Sequence, residues 1–427
     1  MFRACLGLLW LVAGTCVSPA WSAEGAVLPE EYAARRAALR SAVGEGVIVL
    51  FGKPEAADEL RTGFFQESNF YYLTGWNEPG AILMMTATRQ GQGEEFLFLP
   101  ARDPEAEKWT GRKAAPDDDG IADRTGFAAV LPGASFEERF RQALSAAASI
   151  HTPSGLPAVE KIKTLAPLRE VADLRPAIAR LRMKKSPAEL ELIRRSIRAT
   201  IAAHRAAWER LQPGIHEHQI IGTMVGHYLG QGCERSAYTP IVGSGPNSTV
   251  LHYARGARRI EAGDVVLMDV GAECAGYAAD ITRTLPANGR FTARQREIYE
   301  IVLGAQKAAI AAVRPGMRLG RGTENSLYQI AYDYIDSHGV DARGERLGKY
   351  FTHGIGHHVG LDVHDADVPG TPLEPGMVIT IEPGIYIPEE NLGIRIEDIV
   401  LVTETGAEVL TRDLPKEIRE IERRGRR

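Results

Sequence analysis

Four acidic residues lie in or at the ends of segments whose other residues are apolar and predict buried β-strands. They are Asp269 in VVLMDVG, Asp280 in AADITRTL, Glu382 in VITIEPG and Glu397 in GIRIEDIVLV. A buried carboxylate without a partner destabilises the folded state, so each position needs solvent, a cationic side chain or a metal ion. The eleven-residue separation of Asp269 and Asp280 suits the two strands of a hairpin.

Two explanations of these acids remain open. Arg395 would share a strand face with Glu397, because residues i and i+2 point the same way, and Arg283 would serve the strand of Asp280. Those pairs leave the other two acids without an obvious cation. Two divalent cations would instead balance all four negative charges, with a neutral histidine as a fifth ligand. Oxygen donors with one imidazole suit Mn²⁺, Co²⁺ or Fe²⁺ better than a structural zinc ion.

Histidines concentrate in the segment THGIGHHVGLDVHD, which contains four of the chain's eleven: His353, His357, His358 and His364. His353 and His357 have the spacing of a zincin helix, but Gly354 stands where such a helix carries its glutamate. Three glycines would each cost a helix about 1 kcal/mol. We therefore predict an extended or looped segment, in which His353 and His357 would share a face if it were a strand.

The elements that position these groups fall into two predicted domains. Residues 28–178 contain predicted strands at 47–51, 81–85 and 95–100 and a predicted helix at 135–148, which indicates an α/β domain. The second domain, 183–427, is predicted to begin with a helix whose first turn has a complete capping box, formed by Ser186, Pro187 and Glu189.

Two landmarks recur in the same order in the second domain. IEAGDVVLMDVG at 260–271 aligns without gaps with LEPGMVITIEPG at 373–384, and a capped helix ends at a Pro-Gly pair both at 213–214 and at 315–316. Chance similarity of two strands is the alternative. We predict an α+β domain of two duplicated halves, related by a pseudo-two-fold axis with the site between them.

The chain begins with the pattern of a secretory signal peptide, predicted at residues 1–23. Arg3 precedes an apolar run over 6–17, and Pro19 interrupts that run well short of the roughly 20 residues that a membrane span needs. We expect export to the periplasm or the medium, with no membrane span after cleavage. A net charge of −5 without a long basic stripe argues against nucleic-acid binding.

The cysteines give a weaker indication. Cys5 and Cys16 would leave with the signal peptide, so that Cys233 and Cys274 remain. An oxidising compartment would allow these two to pair. Because a separation of 41 residues does not establish the proximity that a disulfide requires, we expect them to be unpaired.

Taken together, the motifs resemble those of the Xaa-Pro aminopeptidase branch of the pita-bread metallopeptidases, family M24, which also includes prolidases, methionine aminopeptidases and creatinases. The matching segments are MDVGAECAGYAADITRT, HGIGHHVGLDVHD, TIEPGIY, GIRIEDIVLVTETGAEVLT and TPIVGSGPNSTVLHY. FFQESNFYYLTGWNEPGA and RDPEAEKWTGRK resemble the accessory N-terminal domain of aminopeptidase P and prolidase. The resemblance covers nearly the whole chain after the signal peptide.

The resemblance implies roles for individual residues. The family's five ligands to two metal ions fall on Asp269, Asp280, His357, Glu382 and Glu397, with the second and the last bridging both ions. The substrate-side histidines fall on His252, His353 and His364. Arg395 and Tyr386 stand where the family supports the ligands or contacts substrate. His358 matches no ligand, and Asp362 and Asp365 are expected to support the loop.

The activity that the resemblance implies is removal of the N-terminal residue from peptides with proline at the second position, by attack of a metal-activated water. Glu382 would accept a proton, and His353 or His364 would hydrogen-bond the developing negative charge. The two ions are expected to be Mn²⁺, with Co²⁺, Fe²⁺ or Zn²⁺ as alternatives. The partner would be a peptide with a free N-terminus, and we expect a homo-oligomer, a dimer or a tetramer.

Two other functions remain open. A prolidase, which cleaves only Xaa-Pro dipeptides, shares all the ligands, although the ending VLTRDLPKEIREIE looks more like that of an aminopeptidase. A non-catalytic peptide-binding protein on the same scaffold would have lost a ligand, and all five are intact. A creatinase-like function is disfavoured, because that relative lacks the full metal set.

Overall fold

The computed structural model describes residues 27–55, 63–156 and 158–424. The predicted signal peptide lies outside the described residues. Among the helices that are described, none is both long enough and apolar enough to cross a bilayer.

The N-terminal part is built on a mixed sheet, as the α/β prediction requires. Its elements are α1 (Pro29–Val43), β1 (Gly46–Phe51), α2 (Ser68–Thr74), β2 (Ile82–Ala87), β3 (Glu95–Leu99), α3 (Pro104–Thr110), α4 (Ile121–Thr125), β4 (Val130–Pro132), α5 (Phe136–Leu144), β5 (Ser149–Thr152), α6 (Ala158–Leu165), β6 (Glu170–Asp173) and α7 (Arg175–Met183). The described strands pair in the order β4-β3-β2-β1-β5-β6, antiparallel in the β1-β2-β3 meander and parallel elsewhere. The three predicted strands and the predicted helix all form, with ends shifted by at most four residues.

The C-terminal part alternates helix pairs and small antiparallel sheets. Its elements are α8 (Pro187–Arg210), α9 (Glu217–Gly230), β7 (Arg235–Ser236), β8 (Ile241–Ser244), β9 (Val265–Val270), β10 (Ala272–Cys274), β11 (Tyr277–Ala278), β12 (Ile281–Pro286), α10 (Ala293–Ala312), α11 (Leu327–Ser337), β13 (Val378–Ile381), β14 (Gly384–Ile387), β15 (Leu392–Arg395), β16 (Asp398–Val402), β17 (Ala407–Val409) and α12 (Ile418–Arg424). The capping box predicted at Ser186 is present in α8, and Thr292 with Gln295 forms a second one at the start of α10.

Backbone hydrogen bonds confirm the duplication. At each Pro-Gly stop the glycine N–H donates to the first residue of the repeated motif, Gly214 to Ile260 at 2.8 Å and Gly316 to Leu373 at 2.9 Å. Each of these motif residues donates back to the residue after the glycine, at 2.8 Å and 2.7 Å. The repeated strand then lies in a three-stranded sheet in each half, ordered β8-β9-β12 and β13-β16-β17. The repeated letters therefore mark one turn-and-strand unit that is built twice.

The N-terminal and C-terminal parts share one apolar core cluster. It contains Phe70 from α2, Ile193 from α8 and Ile399 from β16, all fully or almost fully buried. Arg35 in α1 lies 3.3 Å from Glu189 in α8, and Tyr277 donates to the same carboxylate at 3.0 Å. Packing of this kind holds the N-terminal and C-terminal parts in a fixed relation to each other.

The expectation that the cysteines are unpaired is wrong, because Cys233 and Cys274 form a disulfide. Strand β7 pairs antiparallel with β10, with Ser236 opposite Ala272, and the chain just before β7 brings the Cα atom of Cys233 to 4.2 Å from that of Cys274. β7 is only two residues long and has no strand pattern in the sequence. Proximity was therefore invisible from the spacing of the cysteines.

Loss of this disulfide is expected to destabilise the protein by about 2–4 kcal/mol, because the bond closes a long loop in the unfolded chain. The measurement is urea unfolding of wild type and of the Cys233→Ser/Cys274→Ser variant, each with and without reductant. Reductant should lower the wild-type midpoint to that of the variant and leave the variant unchanged. Equal midpoints without reductant would contradict the prediction.

His204 in α8 is fully buried beneath the strand that follows Asp280. Its Nε2 lies 3.1 Å from the Ile281 carbonyl oxygen, so Nε2 carries the hydrogen, while Nδ1 has no hydrogen-bond partner among the described residues. Burial, with a smaller contribution from Arg283, lowers the pKa of His204 from 6.5 to about 3. The folded protein therefore holds this imidazole neutral where the unfolded chain protonates it.

The free energy of unfolding is accordingly expected to decrease as the pH is lowered from 6.5 to about 3, because the unfolded state binds a proton there that the folded state does not. His204→Asn should reduce the slope of unfolding free energy against pH in this window by about 1.4 kcal/mol per pH unit. Urea unfolding at several pH values measures the slope. An unchanged slope in the variant would show that another group carries the acid sensitivity.

Candidate active site

Each half of the C-terminal part supplies two of the predicted acids from paired strands. In the first half Thr282 of β12 lies opposite Asp269 of β9, which places Asp280, just before β12, near the same end. In the second half Glu382 directly follows β13 and Glu397 directly precedes β16, and these strands are antiparallel partners. The predicted hairpin and the predicted pairing of halves therefore bring the four acids to one place.

The histidine segment is a loop, as its glycines predict. It reaches the acids by passing close to β13, where the Thr380 N–H donates to the His357 carbonyl at 2.8 Å. A Cβ at Gly356 would lie 2.0 Å from the Thr380 carbonyl oxygen, so only glycine allows this approach. The contact fixes the backbone of His357 against the strand that leads to Glu382.

His357 faces the acids through Nε2, which lies 3.4 Å from Asp280 Oδ2 and 3.5 Å from Glu382 Oε1. Its Nδ1 lies 3.0 Å from the His358 carbonyl oxygen, so Nδ1 carries the hydrogen and the Nε2 lone pair is free for a ligand bond. Candidate donor atoms of Asp280, His357 and Glu397 all lie within 4.8 Å of one another. This spacing suits metal coordination.

All five predicted ligands line one cavity of ≈ 670 Å³. The predicted substrate histidines His252, His353 and His364 line it as well, whereas Tyr386 does not. His358 is buried outside the cavity, in a backbone bridge with Ile379, as expected for a residue without a ligand role. Ile241, Leu251 and Val363 add apolar wall, so the cavity has a charged end and an apolar side.

The acids crowd together with little compensating charge. Burial raises the pKa of Asp280 and of Glu397 well above the usual range, and neighbouring carboxylates raise both further. Burial also raises the pKa of Glu382. Arg395 is the single arginine or lysine among the described residues that line the cavity, and it is bonded to Asp269. Negative charge in excess of this one cation favours divalent metal ions.

One orphaned atom supports the same conclusion. Oε1 of Glu397 is buried and has no hydrogen-bond partner among the described residues, while Oε2 accepts from Thr282 Oγ1 at 2.7 Å. A buried carboxylate oxygen without a partner is costly, and a metal ion would satisfy it. The donor set of carboxylates and one imidazole therefore fits divalent metal ions.

The two arginine pairings considered from the sequence are wrong. Arg395 bonds Asp269 and, at 2.7 Å, the Tyr386 hydroxyl, because β15 ends at Arg395 and Glu397 lies outside that strand. Arg283 donates to Asp398 at 2.7 Å. The rule that residues i and i+2 share a face holds only within a continuous strand, and the strand is broken there.

His353 is held from both sides. Its Nε2 lies 2.8 Å from the Tyr386 hydroxyl and its Nδ1 lies 2.8 Å from the Gly354 carbonyl oxygen. Burial lowers the pKa of His353 to about 3, with Arg395 adding to the effect, so the ring is neutral near pH 7. Tyr386, which does not line the cavity itself, therefore holds two residues that do, His353 and Arg395.

Three further supporting residues, Tyr238, Glu217 and Thr282, were not singled out from the sequence. The Tyr238 hydroxyl lies 2.5 Å from one oxygen of both Asp269 and Asp280, and it stands just before the TPIVGSG segment. Glu217 is fully buried and accepts from the Tyr253 hydroxyl at 2.9 Å, which anchors the loop of His252. Thr282 lies opposite the predicted ligand Asp269 and donates to Glu397. A threonine in the strand paired with a ligand-bearing strand was the signal in the sequence that could have identified it.

Comparisons with known proteins agree with this geometry. The model of metallopeptidase family M24 matches residues 191–404, and that of the aminopeptidase P N-terminal domain matches residues 32–151. The Xaa-Pro aminopeptidase of Escherichia coli (strain K12) is 34% identical over 430 residues, which cover 92% of this chain and 97% of that protein. The Xaa-Pro dipeptidase of Pyrococcus furiosus is 40% identical over 258 residues, 60% of this chain and 70% of that protein.

The structure of aminopeptidase P from E. coli with the inhibitor Pro-Leu superposes with a TM-score of 0.83 at 32% identity, covering 93% of this chain and 98% of that chain. An α/β N-terminal domain followed by a pita-bread catalytic domain, with acids and histidine around one cavity, defines the class of carboxylate-rich metallopeptidases. The chain belongs to metallopeptidase family M24.

Glu397→Gln is expected to stabilise the metal-free protein. The folded-state pKa of this carboxyl lies above its unfolded value, so its ionised form destabilises the fold at pH 7, by about 1.4 kcal/mol for each pKa unit. The variant also lacks a candidate ligand, so Mn²⁺ should raise its melting temperature much less than that of wild type.

Thermal melts of metal-free and Mn²⁺-treated protein measure both effects. Glu404→Gln, at an exposed acid between β16 and β17, is the control and should match wild type in both conditions. A lower melting temperature for metal-free Glu397→Gln would contradict the electrostatic account of the site.

Proposed function

We propose that the protein is a metal-dependent aminopeptidase that releases the N-terminal residue from peptides with proline at the second position. The observation that carries the proposal is the convergence of four carboxylates and His357 on one cavity that three further histidines also line. The match of nearly the whole chain to Xaa-Pro aminopeptidases supports the choice of substrate.

Five residues would hold two divalent ions: Asp269, Asp280, His357, Glu382 and Glu397. Mn²⁺ is our candidate for the native ion, with Co²⁺, Fe²⁺ and Zn²⁺ as alternatives, because oxygen donors dominate the set. When bound, such ions supply an acidified water and polarise the scissile carbonyl. The charge count supports two ions, since four carboxylates would balance them.

The protein's own groups divide the remaining work. Glu382 is our candidate proton acceptor, because burial raises the pKa of its carboxyl towards the range in which it can hold a proton. Thr380 Oγ1 lies 3.3 Å from Oε1 of Glu382 and holds its orientation. The proton would then pass to the leaving proline nitrogen.

The structure favours His364 over His353 as the hydrogen-bond donor to the reacting carbonyl. Both ring nitrogens of His353 are engaged, by Tyr386 and by the Gly354 carbonyl. His364 lines the cavity, and its ring packs 4.1 Å from that of His357. No hydrogen bond holds this ring among the residues that the structure describes, so it can turn its N–H towards substrate, and His364 would stabilise the developing charge. His353, His252 and Arg395 would shape the substrate site.

Export and assembly are further parts of the proposal. The pattern at residues 1–23 and a disulfide between Cys233 and Cys274 are both typical of an exported protein in an oxidising compartment. We infer a periplasmic or secreted enzyme that acts as a homo-oligomer, for which size-exclusion chromatography with light scattering is the test.

The deciding assay compares a Xaa-Pro dipeptide, a Xaa-Pro-Yaa tripeptide and the matched Xaa-Ala-Yaa tripeptide in Mn²⁺. We expect release of the first residue from Xaa-Pro-Yaa, little cleavage of Xaa-Ala-Yaa, and loss of activity with a chelator that Mn²⁺ restores. His364→Ala should lower kcat/KM by about 10²–10³.

Cleavage of the dipeptide alone would favour the prolidase alternative, which the Pyrococcus relative keeps in view. Binding of peptides without cleavage under any of the four ions would instead favour a non-catalytic peptide-binding protein.

A further inference from the structure

A second cluster of charges is buried beside the active site and has no part in the proposed chemistry. Asp365 accepts hydrogen bonds from Arg182 and, at 2.8 Å, from Lys185. The side chains of all three residues are at most 2% exposed. Arg182 also donates at 2.7 Å to Asp362, whose side chain is half-exposed, so two cations meet two carboxylates, of which Asp365 is the buried one.

Burying this many charges is a cost that packing alone does not require. Burial by itself would raise the pKa of Asp365, but Lys185 and Arg182 outweigh it, and the net pKa lies below the usual range. The carboxylate therefore stays ionised and bonded to both cations. Such a group holds the backbone around it firmly in one place.

The backbone that it holds carries two of the functional imidazoles, those of His357 and His364. Asp365 directly follows His364, and its N–H donates to the His358 carbonyl at 2.9 Å, which closes the loop next to His357. A Cβ at Gly360 would lie 2.3 Å from Asp365 Oδ2, so the loop folds over this carboxylate only with glycine. Movement of the loop would shift both rings together.

The N-terminal domain grips the same cluster. Asn69 Oδ1 accepts from Arg182 Nη1 at 2.8 Å, and Ser68 Oγ donates to Asp362 Oδ1 at 2.7 Å. Both residues lie in the first turn of α2. A chain of direct contacts thus runs from α2 through Arg182 and Asp362 to the residue that follows His364.

We propose that this cluster is a positioning device, which fixes His357 and His364 in the active site and makes their placement depend on docking of the N-terminal domain. We name it the loop clamp; its members are Ser68, Asn69, Arg182, Lys185, Asp362 and Asp365. The roles of the two histidines rest on the proposed function. The clamp touches neither substrate nor ligand donor atoms and acts through the loop alone.

The main test compares Asp365→Asn with Glu95→Gln. Glu95 in β3 also accepts from two arginines, Arg36 and Arg40, but it lies in the N-terminal sheet, away from the loop. Titration calorimetry of the metal-free proteins should show Mn²⁺ binding weakened about 10–100-fold in Asp365→Asn, as for other groups that orient metal ligands, and unchanged in Glu95→Gln. Equal Mn²⁺ affinity in Asp365→Asn and wild type would overturn the proposal.

This binding measurement needs no peptidase activity. A wild-type protein that binds Mn²⁺ but cleaves no peptide would refute the proposed function and still leave the clamp to be judged on metal affinity. Conversely, normal Mn²⁺ affinity in Asp365→Asn beside an active wild type would refute the clamp alone.

A double-mutant cycle tests the link to His364. At saturating Mn²⁺, Asp365→Asn should lower kcat/KM about 10-fold or more in the wild-type background and less than about 3-fold in the His364→Ala background, because the displaced ring is already absent. Losses that multiply in the double variant would show that Asp365 does not act through His364.

Should Asp365→Asn fail to fold, Ser68→Ala removes a single hydrogen bond between the domains, the one that Ser68 donates to Asp362. It is expected to raise KM and to weaken Mn²⁺ binding about 2–5-fold, whereas Ser135→Ala, whose hydroxyl bonds the local Pro132 carbonyl, should change neither. Wild-type values of both quantities in Ser68→Ala would overturn the dependence on the N-terminal domain.

Discussion

Repulsion among buried carboxylates is the constraint on which the rest of the catalytic domain depends. Burial raises the pKa of Asp280, Glu382 and Glu397, and repulsion from neighbouring carboxylates, which for Glu382 is that of Asp269, adds to the effect. No flexible segment would keep such groups together unaided. Two antiparallel strand pairs, β9-β12 and β13-β16, hold these acids together through their backbone hydrogen bonds, although solvation of the carboxylates would favour their separation.

The duplication explains how a chain builds this arrangement. One turn-and-strand unit, made twice, delivers an acid from each half, and the shared backbone bonds at Gly214 and Gly316 set both strands by the same rule. The halves then diverge in what they add. The first contributes the hydroxyl of Tyr238, whereas the second contributes the histidine loop, which approaches β13 through Gly356. The duplicated unit thus supplies the acids, whereas segments present in only one half supply the ligand imidazole and the substrate side of the site.

Much of this was predictable, because an acid in an apolar strand and a glycine-rich histidine segment are local patterns. The same holds for the capping box of Ser186 and for the repeated motif. Contacts between distant segments were not predictable. The partner of Arg395 depends on the end of β15 at that residue. The bond between Cys233 and Cys274 depends on a two-residue strand, and the anchoring of Asp365 depends on the position of a different domain. Sequence spacing carries none of that information.

A buried, fully paired aspartate directly follows a functional residue at two places. Asp398 follows Glu397 and binds Arg283 and Lys416, just as Asp365 follows His364 and binds two cations. In both, the cations outweigh burial and the pKa lies below its usual range, opposite to the neighbouring site acids. An ionised aspartate locked to two cations resists displacement strongly, since removing it would strand buried charges. Because the anchored aspartate is the next residue, it holds the backbone of the functional residue against the repulsion within the site. The functional side chain itself stays free for metal or substrate.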